Sequence, residues 1–224
     1  MKNQITPHQL RKIKSFWNWF TKNETQIIKA LVSDYEEEIL TELNKKLSYV
    51  SKRIGFFYDI HNSNPVIIKL TISSIGYSKL FPKIEALVQH APRLEMWLFQ
   101  ALIQPNRDLK KFKLGTDTPF AYRGVILKIS ELSFSITDLN NRQKKMSIKV
   151  YIKQYDHLKD NPNSPEAIEM CILDLIGEIY YKKHITSFQL AQMPNKPKNL
   201  APLYELLETV EFLKDLNKRV KVII

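Results

Sequence analysis

Asp174 and Glu178 stand four residues apart in a segment of helical character running from Pro165 to Lys183, with His184 just beyond its end. On an unbroken helix that spacing puts both carboxylates on one face. Such a pair can bind a divalent cation or divide acid and base roles, with the imidazole as a third group. The plainer reading is a solvated stripe. Ile168, Ile172, Leu175, Ile176 and Ile179 define a different, apolar face, and charge at helical spacing usually decorates a surface. His8, His61, His90, His157 and His184 show no metal-ligand spacing, and one cysteine cannot supply a zinc site, so no metal is expected. Cys171 lies mid-helix with no adjacent base, which predicts a buried, inert thiol. The five glycines are far apart, which excludes the common phosphate loops and dinucleotide fingerprints, and no serine sits in a nucleophile elbow. The sequence therefore calls for no cofactor and singles out no catalytic residue.

Two other constellations point to binding instead. Phe16, Trp17, Trp19 and Phe20 form an aromatic cluster in which Trp17 falls off the face shared by the other three. That placement predicts an exposed Trp17, a residue type enriched at interface hot spots. The favoured reading is that the cluster anchors the helical pair on the sheet. Arg107, Lys110, Lys111 and Lys113 cluster in one segment, and Lys145 and Lys149 in another. Together they would make a polyanion-binding patch if the fold brought them side by side. The net charge of +11 supports that reading only weakly, because lysine greatly outnumbers arginine, the residue suited to bidentate phosphate and base contacts. A lysine-rich solvated surface, with edge lysines that discourage strand aggregation, accounts for the same residues.

The elements that must position these groups read as α+β. Residues 15–32 have helical periodicity with Ser15 as N-cap. A second helix starts at Ser33 or Asp34, with Glu36, Glu37 and Glu38 in its first turn, and the two form an antiparallel pair. A strand-strand-helix-strand order then runs twice. The first pass comprises Phe56–His61, a turn at Asn62–Pro65, Val66–Ser73, a helix over Ser78–His90 and a strand over Glu95–Ile103. The second comprises Glu131–Thr137, a turn at Asp138–Arg142, Lys145–Lys153, the helix over Pro165–Lys183 and a strand over Ile185–Met193. Between the passes, residues 106–118 read as a charged, irregular connection, and Phe120–Ile129 as one added strand. A closing helix covers Leu203–Asn217, followed by a basic then apolar tail over Lys218–Ile224. Phe99-Gln100 with Pro105 and Phe188-Gln189 with Pro194 fall at the same offsets in the two post-helix segments, which agrees with an internal duplication. The resulting division is 1–53 (helical pair), 54–105 (first ββαβ unit), 106–130 (connection), 131–194 (second unit) and 195–224 (closing helix and tail). Helices pack on mixed sheet, all in one compact domain.

Ordinary hydrophobic and charged fractions, 44% and 25%, fit a globular protein. No apolar run approaches the roughly 20 residues that cross a bilayer, and Phe16–Phe20 is too short for a signal-peptide core. With a single cysteine, these features predict a cytoplasmic setting without membrane contact.

Several short stretches resemble an uncharacterised family of bacterial cytoplasmic proteins of about this length. They are Ser15-Phe16-Trp17-Asn18-Trp19-Phe20 with Asn23-Glu24, then Leu80-Phe81-Pro82-Lys83-Ile84-Glu85-Ala86-Leu87-Val88 running on to Ala91-Pro92 and Trp97. Leu173-Asp174 with Gly177-Glu178 and the closing Pro202-Leu203-Tyr204-Glu205-Leu206 complete the set. The chain departs from the family in its first strand, Phe57-Tyr58-Asp59-Ile60-His61, where the family looks like Phe-Glu-Ile-Gly. The resemblance implies a self-standing bacterial protein, raises Asp174, Glu178 and Glu85 as functional candidates, and implies no mechanism. Three readings of function follow from the sequence: a non-enzymatic protein-binding or accessory module, a nucleic-acid or polyanion binder, and a ligand-binding protein or enzyme using Asp174, Glu178 and His184 in a crevice between the repeats. The first is favoured.

Overall fold

A computed structural model describes residues 5–32, 37–61, 66–196 and 198–220, with no side-chain detail at 37 and 216–220. The expected helix start at Ser33 or Asp34, the turn at Asn62–Pro65 and the tail from residue 221 lie outside the described residues. Among the described residues there are seven α-helices and three sheets, an α+β arrangement as the periodicity predicts. Contacts divide the chain into two units, 1–103 and 104–224.

The first unit opens with three helices rather than a pair: α1 (Pro7–Lys22), α2 (Glu24–Val32) and α3 (Glu37–Val50). The expected cap at Ser15 is corrected to Thr6. Its hydroxyl accepts from Gln9 N–H at 3.2 Å while Gln9 Oε1 accepts from Thr6 N–H at 2.9 Å, and Pro7 fills the first turn. Asn23 ends α1, because its side-chain amide donates to the Trp19 carbonyl at 2.8 Å and so competes with the helical ladder. The apolar periodicity continues across that break, which is why residues 15–32 look like one helix. Behind the helices lies a three-stranded sheet in the order β1 (Gly55–His61), β2 (Ile67–Ser73), β3 (Trp97–Ala101). The pair β1/β2 is antiparallel, and β3 runs parallel to β2 after the crossover helix α4 (Phe81–Gln89).

In the second unit the charged connection contains a short helix, α5 (Lys110–Lys113), whose Phe112 is buried and stacks on Tyr204 at 6.4 Å. The single strand expected over Phe120–Ile129 is instead a hairpin, β4 (Phe120–Tyr122) and β5 (Val125–Leu127). Arg123 and Gly124 both take positive φ, 46° and 81°, the geometry of a tight two-residue reversal. The main sheet has the order β8-β7-β6-β9, built from β6 (Ser133–Asn140), β7 (Lys145–Ile152), β8 (Ile185–Gln192) and the two-residue β9 (Ala201–Pro202). An irregularity between Ile136 and Asp138 carries β6 on to Asn140, so the reversal lies later than the expected Asp138–Arg142. The pair β6/β7 is antiparallel, and β8 is parallel to β7 across the long helix α6 (Ser164–His184). Met146, Ile148, Val150 and Ile152 alternate inward from β7 and pack with Ile168, Cys171, Ile172 and Leu175 of α6. The closing helix α7 (Leu206–Val220) adds Leu206, Leu207, Val210 and Leu213 to that core, and it runs past Lys218, where a tail was expected.

Candidate functional site

The carboxylate pair does not share a helix face. Gly177 sits between Asp174 and Glu178 with φ 74° and ψ 159°, a backbone conformation open essentially to glycine alone, and it interrupts α6. Asp174 is half-buried. Its carbonyl, which a regular helix would reserve for the Glu178 N–H, accepts from Asn106 N–H at 3.0 Å, and its Oδ2 accepts from the Asn106 side chain at 3.4 Å. Glu178 is fully buried, so the solvated-stripe reading fails for it as well. His184 is also buried, at 6% exposure. Its Nδ1 lies 2.8 Å from the Lys144 carbonyl and its ring 5.9 Å from that of Tyr180. Desolvation, helped by the charges of Lys183, Lys144 and Lys214, holds its pKa below the usual histidine value against the opposing Lys144 hydrogen bond. Among the described residues, no group of three or more His, Cys, Asp or Glu side chains is placed to hold a metal ion.

Trp17 is buried, which corrects its reading as an exposed partner-binding residue. It is 4% exposed, its ring lies 4.7 Å from Phe99 and 5.4 Å from Phe20, and its indole N–H donates to the Leu87 carbonyl at 2.7 Å. Leu87 lies in the last turn of α4, where its carbonyl has only a long bond from His90 N–H at 3.3 Å, and Trp17 supplies a second, shorter one. The aromatic cluster anchors α1 to the sheet, as the favoured reading has it.

The basic candidates fall on separate elements. Lys110, Lys111 and Lys113 are exposed on α5, and Arg107 is paired with Glu211 at 3.0 Å. Lys145 and Lys149 are half-buried on the face of β7 that points away from α6, with Ser135 and Gln189 flanking Lys149 on the neighbouring strands.

The chain matches no protein-family model, no curated protein and no solved structure. The site must therefore be judged on its own geometry.

That geometry directs attention to β8. It is the last strand on its side of the sheet, eight residues long and uncharged along its whole length, Ile-Thr-Ser-Phe-Gln-Leu-Ala-Gln. Met193 N–H donates to the Ile152 carbonyl at 2.9 Å, so the odd-numbered residues aim their backbone groups at β7. The N–H and C=O groups of Phe188, Leu190 and Gln192 accordingly point to the open edge. Among the described residues no backbone hydrogen bond covers that edge. A cavity of about 570 Å³ runs beside it, walled by Tyr155, Leu158, Pro162, Pro165, Phe188 and Leu190. Lys159 and Asp160 contribute one charge of each sign at its rim. The first turn of α6 holds the far wall in place. Ser164 Oγ donates to the Leu158 carbonyl at 2.7 Å, and Glu166 accepts from Tyr122 Oη at 2.6 Å and Arg123 Nη1 at 2.8 Å.

Sequence reasoning passed over this place because strand order is invisible in a linear pattern. The one available signal was the absence of charge, proline or glycine in Ile185–Gln192, which is unusual for an edge. Asp117 was also missed. It is 3% exposed and its Oδ2 accepts from Ser130 N–H at 3.2 Å, while Oδ1 has no hydrogen-bond partner among the described residues. Burial pushes its pKa up, but the Ser130 hydrogen bonds and the Lys128 charge outweigh that and hold it below the usual carboxylate value.

Proposed function

We propose that the protein is a non-enzymatic protein-binding or accessory module of the bacterial cytoplasm, and that it takes its partner on the free edge of β8. The observation that carries this reading is the row of backbone groups at Phe188, Leu190 and Gln192, unpaired among the described residues, lying along a cavity with both apolar and polar walls. Strand addition needs those two features: main-chain groups for affinity and a pocket for alternate side chains. The setting is consistent with the finding that, among the described residues, no helix is long and apolar enough to cross a membrane. The test is a nuclease-treated capture from the source lysate with wild-type protein and with Phe188→Lys, which sets a charge on the cavity wall. A stoichiometric partner held by the wild type and lost by the variant is expected. A partner held equally by both overturns the edge as the site.

We also take the two ββαβ units as products of a duplication. Both sheets pair an antiparallel hairpin with a parallel crossover strand. Phe99 and Phe188 each stand opposite the fourth residue of the middle strand, Leu70 and Ile148. Polyanion binding by Lys110, Lys111 and Lys113 is the alternative, favoured by their exposure together on one short helix. It predicts retardation of DNA or RNA that weakens steeply with salt, and no retardation at low salt would end it. The third reading, a ligand held by Asp174, Glu178 and His184, predicts a ligand-induced thermal shift that Asp174→Asn with Glu178→Gln abolishes.

A further inference from the structure

We infer that the occupant of the β8 edge is a second copy of this chain, paired antiparallel about a two-fold axis at Gln189. This rests on the edge assignment above and names its partner. Three features of the strand point to a self-complementary contact.

The first is charge. The chain carries a net charge of +11, so two copies meeting through a lysine-bearing face would set like charges together. β8 has no charged side chain, and Lys159 beside it is neutralised by Asp156 at 3.0 Å. The second is the pattern of residues about Gln189. Phe188 and Leu190 flank it as apolar neighbours, Ser187 and Ala191 follow as small ones, and Thr186 and Gln192 as polar ones. A strand read backwards past itself about that centre sets Phe188 against Leu190 of the second copy, and Ser187 against Ala191. Small meets small and apolar meets apolar. The third is the direction of the backbone. Phe188 and Leu190 are the residues whose N–H and C=O groups face outward, so in this register each makes a hydrogen-bonded pair with the other's counterpart. Shifting the axis to Leu190 would keep outward groups in register but set Phe188 against Gln192. The matched register therefore selects Gln189 as the centre.

The register also places the side chains. Phe188 and Leu190 belong to the face that packs on the core, so the second copy's pair enters the cavity beside β8 on that same face. Gln189 meets its own counterpart on the opposite face as a non-hydrogen-bonded pair, with Cα atoms about 4.5 Å apart. An extra residue at Thr186 marks where regular pairing ends: Met146 opposes Ile185 and Ser147 opposes Ser187. The bulge bends the strand there and limits the contact to a few residues. A strand contact of that length buries less than the roughly 1,200 Å² of a stable interface, so the dimer is expected to depend on concentration.

The experiment is site-directed disulfide formation in the full chain. Gln189→Cys puts a thiol at the two-fold centre, within the Cα separation of about 4.4–6.8 Å that a disulfide accepts. Ser187→Cys is the control. Its counterpart lies four residues further along, roughly 13 Å away at about 3.4 Å per residue, out of reach. The native Cys171 is fully buried and adds no background. Expected results are a covalent dimer from oxidised Gln189→Cys, several-fold less from Ser187→Cys, and a wild-type sedimentation profile that shifts from the 26.4 kDa monomer toward twice that mass with concentration. Equal cross-linking by both variants overturns the register. A wild type that stays monomeric at hundreds of micromolar overturns self-pairing. If that monomer still captures a different protein that Phe188→Lys loses, the self-pairing falls and the protein-binding reading stands.

Discussion

Each unit places a Phe-Gln dipeptide on the strand that runs parallel to the middle one, with the phenylalanine half-buried in both but in different company. In the first unit Phe99 is ringed by aromatics. Trp17, Phe20 and Trp97 crowd it at 4.7, 5.4 and 5.7 Å, and α1 brings two of those rings. In the second unit Phe188 stands beside a cavity, and α7 packs with the α6 side of the core. The difference teaches what α1 does: it packs two rings on an aromatic whose counterpart in the second sheet stands beside a cavity. A half-buried sheet of this topology presents its post-helix strand as an edge, and an added element decides whether that strand is core or contact surface.

Paired truncations give the largest expected effect. Trp17→Ala should cost about 3–5 kcal/mol in urea unfolding, as removal of a buried aromatic does, and Phe99→Ala, at a half-buried ring in contact with three others, about 2–3 kcal/mol. Phe188→Ala should cost about 1.5 kcal/mol or less, because part of its ring already faces open space. Equal losses at Phe99 and Phe188 would remove the contrast. Gly177→Ala comes next. An alanine at φ 74° and ψ 159° is strained, so a loss of about 1–3 kcal/mol is expected, and a neutral substitution would mean that the interruption of α6 is not required.

The smallest effects concern titration and reactivity in the second unit. His184 has a folded-state pKa below its ordinary value of 6.5, so the unfolded chain takes up the proton first as pH falls. Its contribution to stability is therefore complete above about pH 6.5 and is lost as pH falls through the lower folded-state value. Urea midpoints measured at pH 7.5 and pH 5 should differ more for wild type than for His184→Gln, and identical slopes would remove His184 from the account. Cys171, fully buried and with its thiol pushed up to about 12 by burial and by the Asp174 charge, should react with a thiol reagent only on unfolding. Rapid labelling of the native protein would show that the core of α6 opens.

Much of the architecture is legible in the residues themselves. The alternation of Met146, Ile148, Val150 and Ile152 with polar neighbours specifies a half-buried strand, and the apolar stripe of Leu203, Leu206, Leu207 and Val210 specifies an amphipathic helix. Both signals are local periods that any tertiary arrangement must honour. Boundaries were less legible where a side chain competes with the backbone. Asn23 divides a continuous apolar pattern into two helices, and Arg123-Gly124 turns one expected strand into a hairpin. The reading of Trp17 as exposed arose because a helical wheel describes one helix against one surface, whereas α4 supplies a second surface and a carbonyl.

By itself, then, the sequence determined which residues turn inward, the order of strands and helices, and the absence of common catalytic motifs, since each depends on residue type and short spacing. Tertiary structure alone decided the rest. It broke the Asp174–Glu178 face at Gly177, buried Trp17, and, among the described residues, left β8 at the end of its sheet with backbone groups unpaired. An edge is a property of which strands lie beside one another, and no local period of residues records that order.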